Sequence, residues 1–457
     1  MQGLYDFLLA VSDFVWGPVM LVLLVGTGVY LNIGLRFFSF RNLGRAFKCL
    51  LSGGGNQKGH GEVSPWNALM TALAAAIGTG NIVGVATAIA VGGPGALFWM
   101  WVTAIVGMMT KFSEVMLAVH FREKTPAGNW VGGAMYFIKN GLGKNWHWLA
   151  SAFALFGMVA CIGTGAMVQS NAISVNMKDT FSIPNEITAG LLFVLATVIL
   201  LGGVRRVGAV AGKLVPVMAF AYIIMCLMVI CMNITSVPAV LWHIVCDAFT
   251  PTAAQGGFAG ASVLLAIRMG MARGVFANEA GLGSAPIAHA ASTAESPLVQ
   301  ATIGMLDVFI VSIVICTMTG LAILLAATPE GQPLWCSGLD GGVLASMAFQ
   351  ANLAYAGKVG VTTCLTLFAF TTALGWCVYG ERCAIYIFGD RVQKVFRVVY
   401  IAAMTLGAVL ALDIVWLLSD IFNALMAFPN IAGVLLLSPL LFRLVREEVA
   451  KDGRFKL

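Results

Sequence analysis

Eleven apolar stretches, each long enough to cross a lipid bilayer, recur near residues 14–35, 66–90, 95–120, 148–177, 187–203, 210–233, 258–290, 298–327, 360–388, 396–412 and 414–442. A hydrocarbon core of about 30 Å takes roughly 20 helical residues to cross. Inside it each backbone N–H and C=O must be satisfied within the segment, which leaves helices as the natural solution. The chain therefore reads as an all-α polytopic membrane protein with eleven transmembrane helices. Its charge content agrees: 10% Asp, Glu, Lys and Arg, against about 25% in a soluble domain, is too little to coat a water-facing surface. Intrinsic disorder would need low hydrophobicity and high net charge, and 60% of these residues are hydrophobic.

A net charge of +6 would point to nucleic acid only if the cations shared one solvated face. They follow the loops instead. One alternate set of loops and the tail hold 21 of the 26 cations, among them Arg36, Arg41, Arg45, Lys48, Lys58, Arg122, Arg205, Arg382 and Arg397. This predicts an outside N-terminus, a cytoplasmic tail over 443–457 and no nucleic-acid partner. The start, Met1 to Asp13, lacks the basic region of a cleavable leader, so the first apolar run is expected to persist. Ten cysteines lie scattered between Cys49 and Cys383 without a C-x-x-C pair, and read as free, small core residues.

Setting aside the extra N-terminal helix over 14–35 leaves ten spans, five in 64–233 and five in 255–442. Five is odd, so two such halves insert with opposite polarity. The reading is a single membrane transport domain, 1–457, of two inverted five-helix repeats behind one extra helix, an arrangement of secondary transporters.

The first helix of each half carries an interruption. In the first half it is Gly78-Thr79-Gly80-Asn81, where unwound backbone leaves amide N–H groups that attract a carboxylate. The alternative is that Gly80 and Gly84 simply let another helix approach. In the second half the stretch runs from Arg268 through Gly270, Arg273 and Gly274 to Asn278-Glu279 and Pro286. Paired discontinuities point to a midplane substrate and ion site. Arg268, Arg273 and Glu279 must face protein or water, as gating groups, a proton path, or an ion-pair lattice around the unwound segment. Lys111 and Glu114, three apart, read as a local ion pair, and His289 as structural.

Four stretches carry a family likeness. They are Gly78-Thr79-Gly80-Asn81-Ile82; Gly92-Gly93-Pro94-Gly95 with Phe98-Trp99-Met100-Trp101; Ala277-Asn278-Glu279-Ala280-Gly281-Leu282-Gly283-Ser284-Ala285-Pro286; and Gly375-Trp376. With them the chain closely resembles, over nearly its whole length, the alanine or glycine:cation symporter family, the bacterial and archaeal sodium:alanine symporters. The resemblance implies a leucine-transporter-type fold in a prokaryotic plasma (inner) membrane, importing small neutral amino acids with sodium. It places substrate contacts on Thr79, Gly80, Gln169 and Trp376, and the second break at Gly270 and Gly274. The family's aromatic after the glutamine has no clear counterpart, Val175 and Asn176 occupying that region.

The chemistry of these residues fits a zwitterion. Amides of Thr79, Gly80 and Asn81 suit the carboxylate, while the Gln169 amide oxygen and freed carbonyls near Gly270 accept from the ammonium; the alternative for Gln169 is an interhelical hydrogen bond. Trp376 would wall the pocket so that only hydrogen or methyl fits, or else anchor a membrane interface. By analogy with the ion site shared across the fold type that the resemblance implies, sodium, a hard cation, would take the hydroxyls of Thr371 and Thr372 with carbonyls of Ile77 and Gly80, unless those threonines bond their own preceding turn. No cofactor is implied beyond sodium as coupling ion, and no catalytic residue: Ser284 and His289 lack the third member a hydrolase needs. The expectation is a sodium-coupled symporter for alanine or glycine working by alternating access. Proton coupling through Glu279 is the nearest variant, and a channel, which needs a continuous polar pore, the more distant one.

Overall fold

The computed structural model describes residues 2–52, 59–250, 263–410 and 413–457. Lys58, positions 255–262 at the start of the second half and of the seventh apolar stretch, and 411–412 at the end of the tenth lie outside the described residues. The first half of the chain forms α1 (Gln2–Val15), α2 (Pro18–Gly34), α3 (Phe38–Leu51), α4 (Pro65–Ala76), α5 (Val83–Gly92), α6 (Gly95–His120), α7 (Ala134–Leu142), α8 (His147–Ala160), α9 (Gln169–Phe181), α10 (Asn185–Leu200) and α11 (Gly203–Met232). Then come α12 (Val237–Asp247), α13 (Val263–Asn278), α14 (Ala285–His289), α15 (Pro297–Val308), α16 (Thr317–Leu324), α17 (Gly341–Phe388), α18 (Gln393–Gly407), α19 (Asp413–Leu436) and α20 (Ser438–Asp452). A hairpin of two short strands, Glu123–Lys124 and Trp130–Val131, precedes α7.

Among the described residues seven helical stretches are long and apolar enough to cross a membrane, and α4 with α5 makes an eighth, bent by 64° at its break. Helix α10, the interrupted pair α13 and α14, and α18 fall on the three remaining expected stretches and are shorter than a full span, which is consistent with eleven crossings. Two spans carry a π-helical segment, Cys161–Val168 between α8 and α9 and Phe309–Cys316 between α15 and α16. Such widened turns release backbone groups and side chains from the regular ladder. The elements between spans were not foreseen. Helix α3 buries Phe38, Asn42, Ala46, Cys49 and Leu50 at helical spacing while Arg41 and Lys48 stay exposed, the pattern of a helix lying along an interface.

Helix α6 is the spine: from Gly107 to Val119 every residue is buried, against α13 on one side and α15 on another. Local signals set the start of α4, where Ser64 Oγ accepts the Asn67 N–H at 3.2 Å and Pro65 opens the first turn. It ends at Ala76, before the Gly78-Thr79-Gly80 run.

The second break lies elsewhere than expected. Gly270 and Gly274 are inside the continuous α13, and the chain leaves the helix only at Glu279, with positive φ at Glu279 (+56°), Gly281 (+93°) and Gly283 (+76°). The two glycines serve packing instead. A Cβ on Gly270 would stand 2.7 Å from Trp99 Cβ, and one on Gly274 3.3 Å from Met100 Cα. Their four-residue spacing lets α6 lie directly against α13, so the carbonyls near Gly270 are not freed for a ligand.

Candidate functional site

The two breaks meet at a small cavity. Its wall includes Gly78, Thr79 and Gly80 from the first break, Phe276, Glu279 and Leu282 around the second, and Thr372 and Trp376 from α17. Thr164 and Gln169 close it from the π segment and the start of α9, and Asn423 from α19. Six of the expected residues are thus gathered in one place: Thr79, Gly80, Gln169, Glu279, Thr372 and Trp376.

The first break supplies donors. Among the described residues the backbone N–H groups of Thr79 and Gly80 find no acceptor, and the Thr79 hydroxyl is buried without a partner. These are the orphan amides of a helix start. Asn81 does not join them. Its Oδ1 accepts the Gly78 N–H at 3.0 Å, its Nδ2 donates to Cys316 Sγ at 3.3 Å and its own N–H donates to the Gly78 carbonyl at 3.3 Å. Both ends of the Asn81 side-chain amide and its backbone N–H are thus committed, two of the bonds to the turn and one to the facing span, and Asn81 is a staple of the break rather than part of the cavity.

Opposite lie acceptors. Gln169 donates through Nε2 to the Thr164 carbonyl at 3.2 Å, and Asn423 through Nδ2 to the Thr164 hydroxyl at 3.0 Å. The remaining amide oxygens, Gln169 Oε1 and Asn423 Oδ1, are buried without a donor. Asn423 and Phe276 are cavity residues the sequence reading missed. A polar amide in the last apolar stretch was a usable signal for the first; for Phe276, one aromatic among many, there was none. Trp376 is 2% exposed, stands with its ring 5.8 Å from that of Tyr379, and sits deep inside the fold rather than at an interface.

Beside the cavity three oxygens converge. Thr372 Oγ1 donates to the carbonyls of Ala74, at 3.1 Å, and Ile77, at 3.2 Å. The two carbonyls are free because α4 stops there: Ala74 lies in its last turn, and Ile77, at ψ +85°, has already left the helix. Gly78 is required for the approach, since a Cβ on it would lie 3.2 Å from Thr372 Cβ. Ala74 takes the place expected of Gly80 in this cluster. Thr371 behaves differently: its hydroxyl donates to the Phe368 carbonyl of its own preceding turn at 3.0 Å and faces Met218 of α11.

Charges sort by depth. Glu279 is on the cavity wall, where its Oε2 accepts the Ser284 hydroxyl at 2.6 Å. Arg268 pairs with Asp13 of α1, and Arg273 lies over the Phe276 ring at 5.9 Å; both are partly exposed and neither reaches the cavity. Lys111 pairs not with Glu114 but with Asp307 of α15 at 3.1 Å, both fully buried. Glu114 accepts instead from the Gly281 N–H at 3.0 Å and Asn430 Nδ2 at 2.5 Å. An i,i+3 pair lies along its own helix, whereas facing elements offer each group a partner across the interface. His289 is fully buried, with Nδ1 2.5 Å from Gln300 Nε2.

The chain as a whole has relatives among known proteins. The model of the family described as the sodium:alanine symporter family matches residues 1–453. An uncharacterized transporter of Haemophilus influenzae is 46% identical, covering 93% of this chain and 92% of its own. The sodium/alanine symporter AgcS of Methanococcus maripaludis is 41% identical over 97% of this chain and 98% of its own. A probable sodium/glutamine symporter, GlnT of Bacillus subtilis, is 34% identical over 98% and 91%.

Proposed function

Because the chain belongs to the sodium:alanine symporter family, we propose that it imports small neutral amino acids, alanine and glycine, by sodium-coupled alternating access. It is a multi-pass membrane transporter and not an enzyme. One observation carries the finer reading: unspent amide donors and unspent amide acceptors share the walls of one cavity at two helix breaks, with a converging oxygen cluster beside it. A zwitterion needs both kinds of group, since water otherwise solvates each end. The carboxylate goes to the N–H groups of Thr79 and Gly80, and the ammonium to Gln169 Oε1. Trp376 and Phe276 limit the room left for a side chain.

Sodium binds as the second cargo at Thr372 Oγ1 and the carbonyls of Ala74 and Ile77. A hard cation takes oxygen ligands, and the hydroxyl that now donates to the carbonyls turns its lone pairs to the ion. The same break ends at these carbonyls and begins at the substrate's amides, so ordering it for one ligand orders it for the other. Coupling is then reciprocal: substrate tightens sodium as much as sodium tightens substrate. The spans fall into two inverted halves, 64–233 and 255–442, in an inner membrane, with the N-terminus outside and the tail 443–457 inside.

Radiolabelled alanine uptake into proteoliposomes tests this. Accumulation driven by an imposed sodium gradient is expected. Accumulation driven by a proton gradient without sodium would transfer the coupling to Glu279, the carboxylate at the cavity wall.

A further inference from the structure

The acceptor wall of the cavity is set by one threonine. Thr164, in the π segment, receives Gln169 Nε2 on its carbonyl and Asn423 Nδ2 on its hydroxyl. Each amide commits an N–H there, which fixes its NH2 end toward Thr164 and leaves its oxygen unpaired. Both oxygens are buried without a donor, and all three residues line the cavity. A single orphaned acceptor is a cost with many explanations, whereas two on one wall, both oriented from the same residue, form a built site. A carboxylate would be repelled there and a hydroxyl could satisfy only one oxygen. A primary ammonium carries three N–H donors on one atom and satisfies both.

We propose that Asn423 is a second acceptor for the substrate ammonium beside Gln169, that Thr164 is the positioning residue for both, and that the pair selects a primary over an N-alkylated ammonium. The inference deepens the amino-acid reading above and rests on it. Asn423 takes the part that the helical carbonyls near Gly270 cannot play. Selectivity follows from donor counting. An N-methyl group leaves two N–H donors for three acceptors, the two amide oxygens and Glu279 or the Thr79 hydroxyl, so one buried acceptor stays unpaired, the situation in which binding sites discriminate most strongly. The third N–H of the primary ammonium is left for Glu279 or the Thr79 hydroxyl, both lining the same cavity.

The test is sodium-driven uptake of radiolabelled alanine by the full-length chain in proteoliposomes, competed with unlabelled alanine or N-methylalanine. N423A is expected to raise the alanine KM about 10-fold or more, the loss of one hydrogen bond to a charged group, with Vmax per inserted transporter within about twofold. Its preference for alanine over N-methylalanine should fall. T164V, which removes the hydroxyl that orients Asn423, should move both quantities the same way, and T164S, which keeps it, should restore them. The T164V and T164S pair decides the matter if N423A fails to insert. Unchanged KM and preference in N423A, or T164V and T164S behaving alike, overturns the proposal while leaving alanine symport standing. Absence of alanine uptake by the wild-type chain overturns the symport reading itself.

Discussion

Thr371 and Thr372 are adjacent, identical and equally buried, yet only one reaches the oxygens of the first break. T372V is expected to abolish sodium stimulation of alanine uptake, whereas T371V should shift the sodium half-saturation less than about threefold, the worth of a hydroxyl bonded within its own helix. Sodium titration of uptake by both variants checks the difference. Trp376 and Phe276 bound the space for a side chain. W376A should admit valine or leucine as competitors of alanine uptake, and unchanged selectivity would remove Trp376 from the pocket. Cavity positions were legible in the sequence where a polar group stood in an otherwise apolar helix, as Gln169 does. They were illegible where the deciding fact was a partner from another span. Asn81 carries the same kind of group as Gln169 but spends it on Gly78 and Cys316, and only tertiary contacts separate the two.

At the scale of elements, the spans were readable because bilayer thickness imposes a length and satisfied backbone imposes a helix. The first break was readable because two glycines around a threonine weaken a helix, each by about 1 kcal/mol relative to alanine. The second was misplaced by several residues for the same reason: glycine serves equally to loosen a helix and to let two helices touch. Gly270 and Gly274 do the latter against α6. G274L should therefore act as overpacking and destabilise the fold by about 1–3 kcal/mol. A lowered midpoint of thermal unfolding in detergent, with the alanine KM of the remaining folded protein unchanged, is the expected result. Glu114 illustrates the converse. Its carboxylate accepts from the Gly281 N–H and from Asn430, which itself donates to the Gly281 carbonyl at 2.9 Å. Helices α6 and α19 thus replace, with side chains, hydrogen bonds that the second break gave up. E114A should raise the alanine KM, and E114Q, which keeps an acceptor oxygen, should be the milder change.

For the whole molecule, the distribution of cations predicts that a cysteine added at the N-terminus of a cysteine-free variant labels from outside intact cells, and one in the 443–457 tail only after permeabilisation. The opposite pattern would reverse the proposed orientation. The cluster of Thr372 with Ala74 and Ile77 has a consequence at this scale too, because α4 and α17 each contribute to it. On the proposed sodium reading, a monovalent ion seated there would rivet α4 to α17, and release of cargo would require the two to part. At the break within the α4–α5 span such an ion would feel part of the transmembrane voltage, worth about 2.3 kcal/mol per elementary charge at 100 mV across the full thickness. An electric field that draws the ion inward would then also pull out the rivet, making departure of the metal and opening of the inner doorway one electrogenic event. Uptake into vesicles should quicken when a potassium diffusion potential makes their interior negative.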